Sequence, residues 1–282
     1  MIISIIYGTS GATWKDGWQA IFSYNDEVDI QLLIYELRLP RVLGAILVGA
    51  CMAVSGAIMQ GITRNAMADS SILGLSQGAG LALCIALVFS PLMNHFQLTM
   101  VSFIGAGVSI VLVYLISMFF PGGMTSVKMI LTGTVISYLF GSLSSGLAIF
   151  YEVSKDIAFF YAGGLSMVRW PTVSLLIPIT IVSLLVAILL SRSISILSLG
   201  EDIATNLGQK TLLTKTIAII LVALMTGVSI SVAGAIGFIG LVIPHIVRSL
   251  VGQDYRLIIP CSAILGVCFS FDISTIYNYN TD

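Results

Sequence analysis

Residues 38–80 read RLPRVLGAILVGACMAVSGAIMQGITRNAMADSSILGLSQGAG. Two arginines, Arg38 and Arg41, stand at one edge of the apolar run Val42–Gln60. A single amide, Gln60, closes that run, and Arg64-Asn65 follow at the turn. About 20 apolar residues span a bilayer core as a helix, and this run fits. Gly49, Ala53 and Ala57 recur along it at four-residue spacing. Small residues in a row let a second helix approach closely within lipid. The run is therefore expected at the centre of a bundle, not as an isolated anchor.

The rest of the chain agrees. Of its 282 residues, 57% are hydrophobic and 9% charged, and the mean hydropathy is +1.06. A soluble domain carries roughly 25% charged residues. The composition predicts an all-α, polytopic transmembrane bundle forming one domain over residues 1–282. A β-barrel is excluded, because its strands alternate over segments of about ten residues, whereas these apolar runs are continuous. The net charge of −1 argues against a nucleic-acid partner. Cys51, Cys84, Cys261 and Cys268 all lie inside apolar runs with no Cys-x-x-Cys. They read as small packing residues, without a disulfide or metal-ligand pattern. Met1–Tyr7 is too short to span, and no basic region precedes it, so it does not read as a signal peptide.

Residues 8–41 read as an external segment. Trp14, Trp18, Phe22 and Tyr24 suggest an amphipathic helix near Trp14–Phe22 at the membrane interface. Spans are expected at 42–60, 72–89, 98–119, 127–150, 173–190 and 215–233, with shorter ones at 236–250 and 257–271. If Arg64 faces the cytoplasm, alternation places Arg64, Lys128, Arg192, Lys210, Lys215, Arg248 and Arg256 inside. Lys15, Arg38, Arg41, Lys155 and Arg169 then lie outside, an inward bias of the expected sign. The 127–150 helix is rich in hydroxyls and glycines, including Thr132, Thr134, Ser137, Ser142 and Ser145. Hydroxyls in hydrocarbon face either other helices or a water-filled path, and both readings stand. Gly49-x-x-x-Ala-Val-Ser-Gly-Ala-Ile58 echoes Gly227-x-x-x-Ser-Val-Ala-Gly-Ala-Ile236. An echo between oppositely directed spans is the mark of an inverted repeat, common in transporters.

Two stretches break the apolar pattern. Residues 197–210 form a polar island between spans, with Glu201 and Asp202 suited to a helix amino terminus and Gly208 to its carboxyl-terminal cap. The island reads either as a cytoplasmic helix offered to a partner or as a solvated connection. Residues 234–248 carry glycines, Pro244 and His245 inside what should be a span. Broken helices in lipid persist only where protein or a cavity surrounds them. His245 is either a ligand or proton carrier, or a group tying off backbone freed at Pro244. No Gly-x-x-x-x-Gly-Lys-Ser/Thr phosphate loop occurs. No ionisable pair lies mid-span, as a proton-coupled carrier would need. A transporter of this kind needs an external engine.

Arg38-Leu-Pro-Arg41, Val54-Ser-Gly56 with Gln60, Arg64-Asn65 with Ala68, Ile72-Leu-Gly74 and Gly78-Ala79 occur in order. Leu199-Gly-Glu-Asp-Ile-Ala204 with Leu207-Gly208 follows. Then come Gly237-Phe-Ile-Gly240-Leu, Pro244-His245, Arg248 and Gly252-Gln-Asp-Tyr-Arg256. Together they resemble the permease subunits of binding-protein-dependent ABC importers for ferric siderophores, haem and vitamin B12. The resemblance implies a ten-helix subunit of a bacterial cytoplasmic membrane. It pairs with a second permease above two ATPases, which bind the ATP and magnesium, and an extracytoplasmic binding protein delivers the chelate. It implies that Arg38 and Arg41 meet acidic side chains of that binding protein, and that Gly200, Glu201, Asp202, Ala204, Leu207 and Gly208 belong to the helix that couples to the ATPase. It places the hydroxyls of 127–150 along the translocation path at the dimer interface. Gln60, Arg64, Asn65, Gly240, Pro244, His245 and Arg248 carry the structural motif. Ala66 and Ala235 stand where the family has proline. Against the family plan the first helix is nearly absent and the last is missing, which leaves a truncated, non-functional remnant as an alternative. An ion-coupled carrier is the other, and the chelate stays open among siderophore, haem and cobalamin.

Overall fold

A computed structural model of the chain describes residues 29–70, 74–119, 126–234 and 237–281, with side chains over 30–70, 74–119, 128–234 and 237–270. No strand occurs among the described residues. The expected amphipathic helix near Trp14–Phe22 and the substituted Ala235 lie outside them.

Helix α1 (Leu39–Thr63) is entered through a helical turn, Asp29–Leu33, and a π-helical turn, Ile34–Arg38. The chain continues through α2 (Leu75–Phe89), α3 (His95–Phe119), α4 (Ser126–Phe150) and a short α5 (Ser154–Gly163). A 3-10 turn, Gly164–Met167, leads to α6 (Trp170–Leu199) and the six-residue α7 (Glu201–Asn206). Helices α8 (Thr211–Ala233), α9 (Ile239–Val251) and α10 (Tyr255–Thr281) complete the bundle. Residues 29–41, expected within an external segment, are helical and lead into α1. They extend α1, with Ile34, Arg38 and Pro40 buried.

Among the described residues, five helices are long and apolar enough to cross a membrane. The expected 72–89 span is shorter than predicted, and the one expected to be short at 236–250 is shorter still. Helix α2 has 15 residues and α9 has 13, which at 1.5 Å per residue reach only about 20 Å of a core about 30 Å thick. Both start part-way along the bundle. The α2 start is Gly74, with φ +79°, and its carbonyl accepts a hydrogen bond from Ser109 Oγ of α3 at 2.9 Å. The α9 start lies against the middle of α1. Backbone ends at that depth need protein partners, and these supply them.

Helix α1 is the hub, packing on α6, α8, α9 and α10. Its span is 83% buried, against 17% for the span in α4. The small residues explain this. A Cβ on Gly49 would overlap the backbone of Gly266 in α10, and one on Gly56 would overlap the carbonyl of Gly240 in α9. Lipid tails are as apolar as leucine, so van der Waals contact at such crossings drives association. Pro244 cannot donate to the Gly240 carbonyl four residues earlier. That freed oxygen packs on the backbone of Gly56, a contact only glycine permits. Helices α1 and α8 pack on one another; the last two positions of the internal echo, 235–236, lie outside the described residues.

Candidate functional site

The end of the bundle carrying Arg64, Lys215, Arg248 and Arg256, read as cytoplasmic from the charge bias, holds a connected polar cluster. Gln60, 2% exposed, donates through Nε2 to the Leu241 carbonyl at 3.3 Å and accepts at Oε1 from Arg248 Nη2 at 2.7 Å. Arg248 also reaches the Tyr255 hydroxyl at 3.3 Å. The Gln60 amide therefore joins α1 to α9, and Arg248 carries the link on to α10. Gly61 lets α10 in: a Cβ there would crowd the Tyr255 ring and Ile194.

Ser195 of α6 donates to Asp254 Oδ1 at 2.9 Å and accepts from the Tyr255 amide at 2.9 Å. Asp254 Oδ1 also accepts from the Arg256 amide at 3.0 Å, capping the start of α10. The Arg256 amide first, then the Ser195 hydroxyl, holds the Asp254 carboxyl below its ordinary range. Arg64 ends α1 in the left-handed region at φ +53°, a conformation costing a non-glycine residue about 1 kcal/mol. Asn65 Oδ1 accepts from the Met67 amide and secures the turn.

Helix α7 lies beside this cluster, with Arg64 Nη1 3.7 Å from the position a Cβ on Gly200 would take. Gly200 precedes it at φ +142°. Gly208, at φ +80°, follows it, with the Gly208 amide bonded to Thr205 and the Gln209 amide to Ala204. That paired pattern is a Schellman cap. Glu201 receives Lys215 Nζ at 2.6 Å, and Gln209 Nε2 donates to the Ser193 carbonyl at 2.9 Å. Ala204 is buried, while Ile203 and Leu207 are exposed. Asp202 is exposed as well.

At the opposite end Arg38 is fully buried. Arg41 donates through Nε to the Ser166 carbonyl at 2.8 Å. Arg169 reaches the same carbonyl at 3.1 Å and is exposed. The outer cationic pair is thus Arg41 and Arg169. Sequence reasoning had assigned Arg169 to this side without giving it a role, since the turn that gathers the two follows the unexpected α5.

Helix α4 divides its hydroxyls. Thr132 is buried. Thr134 and Ser137 donate to their own helix, at Ile130 and Gly133. Ser142 and Ser145 are exposed, on a face with Leu131, Val135, Tyr138 and Ile149. His245 is exposed on α9 and does not tie off the Gly240 carbonyl, which Gly56 meets instead. Among the described residues no group of three or more His, Cys, Asp or Glu could hold a metal.

The chain matches the FecCD transport family over residues 1–279. It is 47% identical over 264 residues to the iron(3+)-hydroxamate import system permease protein FhuB of Bacillus subtilis, covering 94% of this chain and 69% of that protein. It is 38% identical to the iron-uptake system permease protein FeuB of the same organism, covering 95% and 80%. A solved metal-chelate type ABC transporter in an inward-facing conformation superposes with a TM-score of 0.83 at 26% identity, over 98% of this chain and 85% of that one. PsaBC from Streptococcus pneumoniae shares the fold at a TM-score of 0.60 and 17% identity, over 85% and 88%. Family, apolar helices and fold agree: the chain belongs to the FecCD transport family, as a multi-pass permease subunit of an ABC importer in the cytoplasmic membrane.

Proposed function

We propose that this permease passes a ferric siderophore of the hydroxamate class. It works beside a second permease, above two ATPases that bind the ATP and magnesium, and below an extracytoplasmic binding protein. The observation that carries this reading is the 47% identity to an iron(3+)-hydroxamate permease over 94% of the chain. Three surfaces support the assembly. Helix α7, braced by Lys215 and by its glycine termini, projects Ile203 and Leu207 from the cytoplasmic end; within 197–210 it is the segment that seats in the ATPase. The exposed face of α4 with Ser142 and Ser145 is the side turned to the second permease and the path. Arg41 and Arg169 share one carbonyl at the outer end, where guanidinium forks suit carboxylates of a binding protein.

The test is uptake of radiolabelled iron on a hydroxamate chelate by cells carrying the whole importer. Uptake should vanish when the ATPase nucleotide site is disabled. Persistence in that mutant, with loss under a protonophore at constant ATP, would replace this reading by an ion-coupled carrier. Preferential uptake of haem or cobalamin would reassign the chelate. Arg41→Glu with Arg169→Glu should weaken binding-protein docking at low salt, and unchanged affinity removes that surface from the assembly.

A further inference from the structure

We propose that the arginine-lined pocket under α1 receives a carboxylate side chain of the partner ATPase, as a second contact beside α7. The proposal rests on the importer reading above. The pocket has a volume of about 580 Å³ and includes Gln60, Arg64, Arg248, Asp254, Tyr255 and Arg256 in its lining. Three guanidiniums there face one carboxylate. Two are engaged: Arg248 with Gln60 and Tyr255, and Arg256, whose Nε lies 4.0 Å from Asp254 Oδ1. Arg64 is exposed, and its guanidinium has no hydrogen bond or ion pair among the described residues.

The backbone adds a second, independent observation. Arg64 occupies the left-handed cap of α1 at φ +53°, where glycine carries no steric penalty. Strained conformations of this kind cluster at functional sites. The strained cap aims a cation into the pocket and beside the coupling helix: Arg64 Nη1 lies 3.7 Å from the position a Cβ on Gly200 would take.

A guanidinium fork suits a carboxylate or a phosphate equally, and location decides between them. The pocket closes the end of α1, the most buried span, and is bordered by the ends of α6, α9 and α10. It therefore sits under the middle of the bundle, not at the perimeter where lipid headgroups lie. Exposed Leu199 lines it, and Ile203 and Leu207 project from the adjoining α7. Apolar side chains around an arginine match the core composition of a protein interface.

The whole importer, permease with its ATPases in nanodiscs, provides the experiment. ATPase affinity for the permease is measured at low and high salt for wild type, Arg64→Gly, Arg64→Lys and Arg64→Glu. Arg64→Gly is decisive because it keeps the left-handed turn and removes only the cation. Its thermal stability should not fall, yet ATPase affinity should drop by about tenfold, the scale of one charge-assisted hydrogen bond. Arg64→Lys should keep most of the affinity, and Arg64→Glu should lose more than Arg64→Gly. Reversing one surface Asp or Glu of the ATPase to Arg should restore binding to Arg64→Glu. Unchanged affinity of Arg64→Gly overturns the contact. So does unchanged ATPase affinity with a loss of co-purifying phosphatidylglycerol, which would make the occupant a lipid headgroup. Absence of ATPase binding by the wild type would remove the importer reading itself; normal binding by Arg64→Gly removes this contact alone.

Discussion

Gln60→Leu tests the packing at the cytoplasmic end of α1. The leucine preserves volume and helix propensity but deletes both polar atoms. Arg248 then loses a 2.7 Å acceptor and keeps only the Tyr255 hydroxyl at 3.3 Å. A hydrogen bond to a charged group contributes about 1.5–3 kcal/mol. The longer bond to the Leu241 carbonyl, at 3.3 Å, adds about 0.5–1 kcal/mol. The expected loss is therefore about 2–4 kcal/mol. At about 2–4 °C per kcal/mol for a chain this large, the melting temperature should fall by roughly 4–16 °C. A thiol-reactive dye in detergent can follow unfolding, because Cys51 and Cys84 are free and buried. Exposed Cys268 is first replaced by serine to lower the background. Gln60→Glu keeps an acceptor for Arg248 and should lose less than Gln60→Leu. A melting temperature for Gln60→Leu within about 1 °C of wild type would refute the argument, because a bond linking α1 to α9 could not then be holding them together.

Gly56→Val drives a side chain into the Gly240 carbonyl and should cost more than the about 1–3 kcal/mol of ordinary overpacking; yield of monodisperse protein reads it. Gly107 has open space around it, and Gly107→Ala should be neutral or stabilise by about 0.5–1 kcal/mol. Equal yields for both variants would contradict the assigned crossings. Glu201→Gln leaves Lys215, with a side chain only 9% exposed, without its counter-charge. Because the Glu201 side chain is 47% exposed, solvent limits the loss to about 1 kcal/mol. A double-mutant cycle with Lys215→Met should recover that coupling, and additive effects would show there is none. The Asp254 carboxyl is depressed by the Arg256 amide and then the Ser195 hydroxyl. Its contribution is therefore present above the ordinary carboxylate range and lost as pH falls through the lower folded value. Between about pH 5 and pH 3, wild type should lose stability faster than Asp254→Asn; matching acid profiles would show that the cap contributes nothing.

Much of the bundle is legible in local chemistry. Gly49 and Ala53 announce a close helix crossing, and Gly266 is what meets them. Gly208 announces a helix cap, and the amides of Gly208 and Gln209 complete it. Other features escape because their cause is remote in sequence. Nothing local to Arg38 says that it is buried. Arg169 acquires its partner carbonyl only through the turn after α5. The hydroxyls of α4 look alike in sequence, yet helical phase turns Thr132 inward and Ser142 and Ser145 outward.

The sequence by itself determined the solvent and the element type. A chain with 9% charged residues and continuous apolar runs can satisfy its backbone within lipid only as helices. It also determined the family, through motifs spread in order along the chain. Tertiary structure alone decided which polar groups find each other. Gln60 and Arg248 lie 188 residues apart, and their pairing depends on α9 starting part-way across the bundle against Gly56. That start depends on a backbone contact between two glycines. Such a contact is a property of two helices together, and neither stretch of sequence specifies it alone.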